Sequence, residues 1–367
     1  MFQRLPMMRF GHTLSMTLTG TSHGPQVGVI VEGIPPGTPI DAAAIQRELD
    51  RRRPYGRRLA TMRKEEDRLI LHSGVREAKA TGDPIVAYVE NLDVKRGPYA
   101  ELEDVPRPGH ADYPARARWG NTRDLSGGGI FSGRMTVGIV IAGALARGLL
   151  SPKGIEAVAY TRSIGNVEVP PETLDLPLSE LARRSQGNEV GAPDEDAAAR
   201  MATAIEETRR EGDSLGGIVE VQVAGMPVGV GEPFFDSLES VLSHAYFSIP
   251  AVKGVEFGAG FRSARMRGSE HNDAFLVEEG RVRTRTNHAG GILGGLSDGM
   301  PLVARVVVKP TSSIPREQDS VSLSRKEPVR LVVKGRHDPC IVPRAVPVVE
   351  NFTAFVVADL MKRGGFL

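Results

Sequence analysis

The sequence predicts an α+β protein that contains two related halves. Strand-like runs occupy 13–19, 27–34, 68–74, 84–91, 217–224, 301–308 and 329–333. Apolar residues recur at helical spacing over 41–53, 194–211 and 345–362. In addition, a set of spaced glycines and prolines in the first half returns in the second half.

Turn and cap residues set the limits of these elements. Pro35 ends the second strand, and Asp41 is placed to cap a helix that Pro54 stops. The glycines at 364–365 close the last helix. The apolar run 135–150 is broken by Gly138, Gly143 and Arg147 and is too short to span a bilayer, so we expect a buried helix there.

The repeat is defined by preserved intervals and suggests an ancient duplication with halves at about 9–150 and 200–365. The segment 82–87 also has a counterpart at 299–304. The first copy has His23 where the second has Leu215, which indicates that His23 serves chemistry and not the turn. The matched residues are Gly20, Ser22, Gly24, Gly33 and Pro35 against Gly212, Ser214, Gly216, Gly225 and Pro227.

Composition and charge narrow the classes of function. The 367 residues suffice for one large domain or two ordinary ones. Lys and Arg total 46 against 45 Asp and Glu, so a net charge of +1 gives no overall attraction to nucleic acid or an anionic membrane. The single cysteine, Cys340, and the lack of zinc-site spacing predict a reducing cytoplasm and no metal. No signal-peptide pattern occurs near residue 1.

Three histidine-bearing clusters predict an active site assembled from distant loops. They lie at 20–24, 107–112 and 336–340, where histidine stands beside arginine, aspartate or serine on turn-forming backbone. Whether Asp338 in the third cluster is a base or an ion-pair partner stays open.

Two glycine patterns suggest other functions. The Gly-x-Ser-x-Gly strings at Ser22 and Ser214 resemble the nucleophile elbow of serine hydrolases, but Ser22 lies between two predicted strands and Ser214 precedes one, so the required strand–turn–helix context is missing. The glycines at 127–129 and 290–295 fit neither dinucleotide nor Walker patterns. They allow close approach of a flat ligand or form ordinary turns.

Arginines and one serine-rich segment predict an anionic ligand. Guanidinium groups bind carboxylate and phosphate through paired hydrogen bonds, although at most two of the three adjacent arginines at 51–53 can face one ligand. The segment 309–313 is a phosphate seat or an ordinary Ser/Thr turn. The other arginines concerned are Arg57, Arg58, Arg63, Arg107, Arg134 and Arg336.

At these motifs the chain resembles the chorismate synthase family, from about Arg9 to Gly365. The resemblance implies a single α+β domain with helices sandwiched between β-sheets. It also implies conversion of 5-enolpyruvylshikimate 3-phosphate into chorismate and phosphate, the last step of the shikimate pathway. The reaction is an anti-1,4-elimination that needs reduced FMN without net oxidation. The matching segments are 20–24, 50–53, 107–112, 212–217, 251–256, 286–295, 309–313 and 336–347.

The resemblance also implies residue roles. His23 matches a histidine near the leaving phosphate, His110 a histidine against the flavin, and Asp338 an aspartate that acts in proton removal near the flavin N5. The implied substrate contacts are Ser22, Arg52, Arg58, Arg107 and Arg134. The implied flavin contacts are Ser132, Pro250, Ala251, Gly294, Lys309, Pro310, Thr311, Ser312, Ser313 and Arg336.

The chain departs from the family pattern at two places. Thr21 stands where the family often has glutamate, and 130–135 reads Ile-Phe-Ser-Gly-Arg-Met where the family often has Arg-Ser-Ser-Ala-Arg-Glu. The second departure predicts altered flavin contacts at Ile130 and Phe131. The resemblance further implies a cytoplasmic homotetramer. Because no nicotinamide site is recognisable, we expect an external flavin reductase. A catalytically silent flavin- or phosphate-binding module is the alternative.

Overall fold

The computed structural model describes residues 8–53, 59, 66–92, 101–120, 124–335 and 337–367. Arg58 and Arg336 lie outside the described residues. The helices are α1 (Ala42–Arg52), α2 (Asp112–Trp119), α3 (Thr136–Leu150), α4 (Leu178–Gln186), α5 (Glu195–Arg210), α6 (Leu238–Ser248), α7 (Gly268–His271) and α8 (Val342–Arg363).

The strands form two five-stranded antiparallel sheets and four short hairpins. In chain order they are β1 (Arg9–Gly11), β2 (Ser15–Gly20), β3 (Gln26–Glu32), β4 (Ile70–Ser73), β5 (Val75–Arg76), β6 (Lys79–Ala80), β7 (Ile85–Glu90), β8 (Glu156–Ile164), β9 (Val167–Glu168), β10 (Gly217–Ala224), β11 (Val252–Phe257), β12 (Phe275–Glu278), β13 (Arg281–Thr284), β14 (Ile292–Leu293), β15 (Leu296–Ser297), β16 (Leu302–Val308), β17 (Glu317–Ser322) and β18 (Glu327–Val332).

Helices fill the space between the two sheets. α3 packs on α8, α1 and β3 on one side, while α8 packs on α6, β8 and β10 on the other. The two central helices approach so closely at Gly143 that a Cβ there would stand 2.0 Å from the carbonyl oxygen of Asn351. Residues of α3 and α8 are mostly buried, as their apolar runs predict. The predicted α+β sandwich is therefore confirmed.

The two sheets have equivalent strand orders, β1-β2-β3-β7-β4 and β9-β8-β10-β16-β11. The helices also match in chain order. The helix α1 lies between β3 and β4 in the sequence, and α6 lies between β10 and β11, which hold the same positions in the second sheet. Gly33 and Gly225, which are paired in the sequence repeat, both adopt positive φ where a Cβ would meet a carbonyl oxygen at 2.0 and 2.2 Å. These matches support the duplication. The limits of the halves stay a prediction, and the second sheet also includes β8, which precedes residue 200.

A buried ionic cluster joins the helical layers. Glu350 of α8 accepts hydrogen bonds from Arg51 of α1, from Arg147 of α3 and from the backbone N–H of Ala159 in β8. Burial alone would raise the pKa of Glu350, but the charges of Arg147 and Arg51 hold it below its ordinary value. Breaking such a buried pair is costly, so this cluster fixes α1 and α3 relative to α8.

One helical stretch in the described part of the chain, Gly133–Lys153, is long and apolar enough to cross a membrane. The fold buries 67% of its apolar window, and the stretch contains α3 at the centre of the sandwich. Its hydropathy is thus explained by core packing.

Candidate active site

A cavity of about 690 Å³ lies where loops of the two halves meet. Its walls include the C-terminal ends of α1 and α6 and the N-terminal turns of α3 and α8. The N-terminal turns favour an anion in this space and the C-terminal ends oppose it, so the charge of the ligand is decided by the side chains of the wall. The predicted site residues at the walls are Arg52, Arg107, His110, Ser132, Arg134, Pro250, Ala251, Lys309, Pro310, Thr311, Ser312, Ser313 and Asp338.

His110 is held at the wall by its neighbours in the same loop. Its Nδ1 lies 2.6 Å from Asp112 Oδ1, and Asp112 also accepts hydrogen bonds from the Arg107 side chain at 2.7 and 2.8 Å. Burial alone would raise the pKa of Asp112, but the hydrogen bonds from Arg107 and His110 hold it well below its ordinary value. Arg107 Nη2 also lies 3.0 Å from Nδ1, but the ionised carboxylate at 2.6 Å can only accept, so we assign a proton to Nδ1, which leaves Nε2 for a ligand.

The Asp112 carboxylate predicts a pH-dependent loss of stability. Because its pKa is depressed on folding, its contribution is complete above the unfolded-state pKa of about 3.9 and declines as the pH falls below that value. Asp112→Asn should lower the melting temperature at pH 7 by about 2 °C or more. Calorimetry from pH 7 to pH 3 should show that the difference in melting temperature begins to narrow below about pH 4.

The exposed Asp319 provides the control for this series, since among the described residues its carboxylate pairs only with Arg330 on a surface hairpin. Asp319→Asn should leave the melting temperature within about 1 °C of the unaltered chain at each pH. A gap for Asp112→Asn that stays constant down to pH 3 would count against the assigned ionisation.

Three consecutive glycines separate His110 from His23. A Cβ on Gly127 would stand 1.9 Å from Cε1 of His23, and a Cβ on Gly128 would stand 3.5 Å from Nε2 of His110. All three glycines, 127–129, have positive φ. The backbone N–H of Ser22 donates to the carbonyl of Gly129 at 3.4 Å. The 127–129 segment therefore joins the first two histidine clusters, with His110 at the cavity and His23 buried behind Gly127.

The 309–313 segment connects the remaining motifs. Lys309 Nζ donates to Ser312 Oγ, and Ser312 Oγ donates to the carbonyl of Gly109, both at 2.7 Å. Arg107 donates to Ser313 Oγ, and Thr311 Oγ1 donates to the carbonyl of Asp338. Loops more than 200 residues apart in sequence are thus held together in one wall.

Lys309 also carries an electrostatic signature of an anion site. Partial burial, together with the charge of Lys253, lowers the pKa of Lys309 from its ordinary value. Both lysines line the cavity, and an arriving anion would relieve their repulsion. Ala251 accepts a hydrogen bond from the Lys309 backbone and has a φ of 72°, a conformation that costs an alanine about 1 kcal/mol or more. Such strain is typical of functional sites.

Asp338 and two arginines occupy the α1–α8 side of the cavity. Arg344 donates to Asp338 Oδ2 at 2.5 Å and to the backbone carbonyl of Arg52 at 3.3 Å. The Arg52 side chain is 2% exposed and donates to Thr136 Oγ1 at 3.0 Å. Asp338 is thus both an ion-pair partner and a cavity-lining carboxylate.

The described wall carries a clear excess of positive charge. Six cations line it against a single carboxylate, Asp338, with Asp67 and Asp112 directly behind arginines. This excess is local, because the whole chain has a net charge of +1. The six are Arg52, Arg107, Arg134, Lys253, Lys309 and Arg344.

Several predicted residues are not at this wall. Ser22 and His23 are buried behind it, with His23 Nδ1 3.2 Å from Ser22 Oγ. The structure does not bring Gly294 to the cavity, because this glycine lies at the exposed turn between β14 and β15. The predictions for Arg58 and Arg336 fall outside the described residues.

The sequence reasoning missed four residues that belong to the site. His337 and Arg344 line the cavity within or beside the third histidine cluster, and Lys253 lies in the 251–256 segment, so local position offered a signal. Asp67 offered none, since nothing near it in sequence distinguishes it from the chain's other acidic residues.

The structure disfavours the serine-hydrolase interpretation. Ser22 lies between β2 and β3, and Ser214 precedes β10, so neither stands on a strand–turn–helix elbow. Within the described ranges, no group of three or more His, Cys, Asp or Glu side chains is arranged to hold a metal ion.

Comparison with known proteins identifies the family. The family profile described as chorismate synthase matches residues 14–361. Chorismate synthases of Korarchaeum cryptofilum and Methanosarcina mazei are 49% and 48% identical to the chain, over 96% and 98% of it and 97% of each relative. A solved structure titled "Crystal Structure of Chorismate Synthase" has a TM-score of 0.76 and 29% identity, over 97% of this chain and 93% of that one.

These matches span the same residues that build the cavity, from β2 to α8. The chain therefore belongs to the chorismate synthase family and is a lyase.

Proposed function

We propose that the chain converts 5-enolpyruvylshikimate 3-phosphate into chorismate and phosphate, with reduced FMN as cofactor. The observation that carries the proposal is the cation-rich cavity, into which His110, Asp338 and the 309–313 segment all face. The substrate is a multiply anionic ring, and its elimination needs groups that hold the phosphate, neutralise the charge it develops and accept a proton.

The cavity residues fit a flavin. About 690 Å³ is within the range of small-molecule and cofactor sites. Gly109, Gly127 and Gly133 in the wall carry no side chain, so a flat ring system can approach the backbone closely there. Ile130 and Phe131 add apolar surface, and the hydroxyls and lysine of 309–313 suit the flavin's polar edge and phosphate. When bound, reduced FMN would lend electron density transiently to the elimination and recover it.

The reaction breaks the C–O bond to phosphate and one C–H bond, and it forms a second ring double bond without net oxidation. Arg52, Arg107 and Arg134 would bind the substrate's anionic groups, and Ser22 and Arg58 are further proposed contacts. His23 is assigned as proton donor to the departing phosphate on family resemblance, since in the structure it stands behind Gly127 and not at the wall. With protons on both ring nitrogens, His110 would donate from Nε2 to negative charge that develops on the ligand, while Asp112 holds the ring at Nδ1. Asp338 would assist removal of the ring proton.

The proposed flavin contacts include residues from both halves of the chain. At the wall they are Ser132, Pro250, Ala251 and the 309–313 segment. Gly294 and Arg336 keep this role on family resemblance alone. We further propose a cytoplasmic homotetramer that receives reduced flavin from a separate reductase.

An anaerobic assay tests the proposal. Purified chain, chemically reduced FMN and 5-enolpyruvylshikimate 3-phosphate should yield chorismate and phosphate in equal amounts, while oxidised FMN should yield neither. Bound FMN without product would favour a silent binding module, and phosphate without chorismate would favour a hydrolase. A parallel sample with oxidised FMN and NADPH, without a reductase, should show no NADPH oxidation.

A further inference from the structure

A single buried carboxylate holds two arginines of the cavity wall. Asp67 Oδ2 accepts a hydrogen bond from Arg52 Nη1 at 2.9 Å, and Oδ1 accepts one from Arg134 Nη1. The Asp67 side chain is fully buried, and the arginine side chains are 2% and 4% exposed. Both guanidiniums therefore share one ion-pair partner that does not itself line the cavity.

The backbone around Asp67 is shaped for this contact. Its φ is 47°, which places it in the left-handed region that aspartate tolerates better than most residues. Gln46 of α1 clamps the turn, because its Nε2 donates to the Asp67 carbonyl at 3.1 Å and its Oε1 accepts from the Leu69 N–H at 2.8 Å. The same helix carries Arg52, so α1 sets both the carboxylate and one guanidinium.

Other contacts leave the two arginines little freedom. Arg52 Nε donates to Thr136 Oγ1 and its Nη2 to the carbonyl of Gly133, at 3.0 and 3.1 Å. Arg134 Nε donates to Asn91 Oδ1 at 2.9 Å. Each guanidinium has five N–H donors, and these bonds fix the plane of the fork.

We propose that Asp67 is a positioning residue that aims the Arg52 and Arg134 guanidiniums at the anionic groups of the substrate. This inference rests on the proposed function. The two guanidiniums carry two positive charges and Asp67 carries one negative charge. The three groups together therefore keep a net positive charge towards the cavity. The carboxylate also prevents their mutual repulsion from turning either fork away.

A purely electrostatic role predicts the opposite outcome. If Asp67 only reduced the positive charge of the wall, removing its charge would tighten anion binding. If it aims the arginines, removal should weaken binding. In Asp67→Asn, the amide oxygen can still accept from one guanidinium, but the NH₂ group faces the donors of the other.

The experiment is calorimetric titration of 5-enolpyruvylshikimate 3-phosphate and, separately, oxidised FMN into the purified chain. Asp67→Asn should raise the substrate dissociation constant about 10-fold or more and leave the FMN dissociation constant within about 2-fold. Asp359→Asn is the matched control, since Asp359 is equally buried but accepts the backbone N–H groups of residues 12–14, away from the cavity. It should leave both constants within about 2-fold.

If Asp67→Asn does not fold, a milder variant still tests the inference. Gln46→Ala keeps the carboxylate but releases its turn, and it should raise the substrate dissociation constant about 3-fold without changing that of FMN. Unchanged or tighter substrate binding in either folded variant, or equal weakening for both ligands, overturns the inference. If the unaltered chain makes chorismate, such a result leaves the proposed function intact; if it makes none, both fail.

Discussion

His110→Ala should lower the rate of chorismate formation by about 10²-fold or more. The imidazole is held by Asp112 at the cavity wall, so Nε2 is the group that meets developing negative charge. Alanine leaves Asp112 and Arg107 paired at 2.7 Å, and the loop should therefore keep its fold. The measurement is the initial rate under anaerobic conditions with saturating reduced FMN.

An exposed histidine provides the comparison for this variant. His72 lies on β4 and contacts only the ring of Tyr88 among aromatic side chains of the described residues. His72→Ala should retain a rate within about 2-fold of the unaltered chain. A near-normal rate for His110→Ala would remove this residue from the chemistry.

His23→Ala should also lower turnover by about 10²-fold if this side chain donates the proton to phosphate. His23 is 5% exposed and stands behind Gly127, so its role depends on the backbone that separates it from the cavity. Gly127→Ala should therefore produce a similar loss, because the new Cβ would stand 1.9 Å from His23 Cε1 and push the ring away. Initial rates of both variants check this.

Gly280→Ala is the control that distinguishes the effect of displacing His23 from the effect of backbone strain. Gly280, on the β12–β13 turn, has a φ of 73°, close to the 59° of Gly127, but a Cβ added there would meet nothing within 4 Å. It should lose stability without a comparable loss of rate. Normal turnover in His23→Ala would show that the buried imidazole only supports the 127–129 segment.

Much of the fold could be predicted because its signals are local. Asp41 does cap α1, accepting from the Ala44 N–H, and the apolar run at 135–150 is the buried helix α3. The equal spacing from Gly20 to Pro35 and from Gly212 to Pro227 predicted equivalent strands, which are β3 and β10. The strand β8 was not among the predicted strands, and its pairing with β10 could not be predicted, since the order of strands in a sheet depends on contacts between distant segments.

The site could be predicted only in part. Histidines, arginines and turn glycines are uncommon enough to mark loops, and the structure brings His110 and Asp338 to one cavity. Asp67 could not be found this way, because a buried carboxylate acquires its role only when Arg52 and Arg134 fold against it. Gly294 is the opposite case. It was predicted as a flavin contact but lies at an exposed turn away from the cavity, because a series of glycines alone does not say whether a turn faces a ligand.

The central claim is that one cavity, built from both halves of the chain, holds reduced FMN and the anionic substrate together. A crystal structure of the chain with FMN and 5-enolpyruvylshikimate 3-phosphate tests it most directly. Both ligands should lie between His110 and Asp338, with the substrate's phosphate or carboxylates within about 3 Å of the arginine side chains. Ligands bound elsewhere, with this cavity filled only by solvent, would contradict the account.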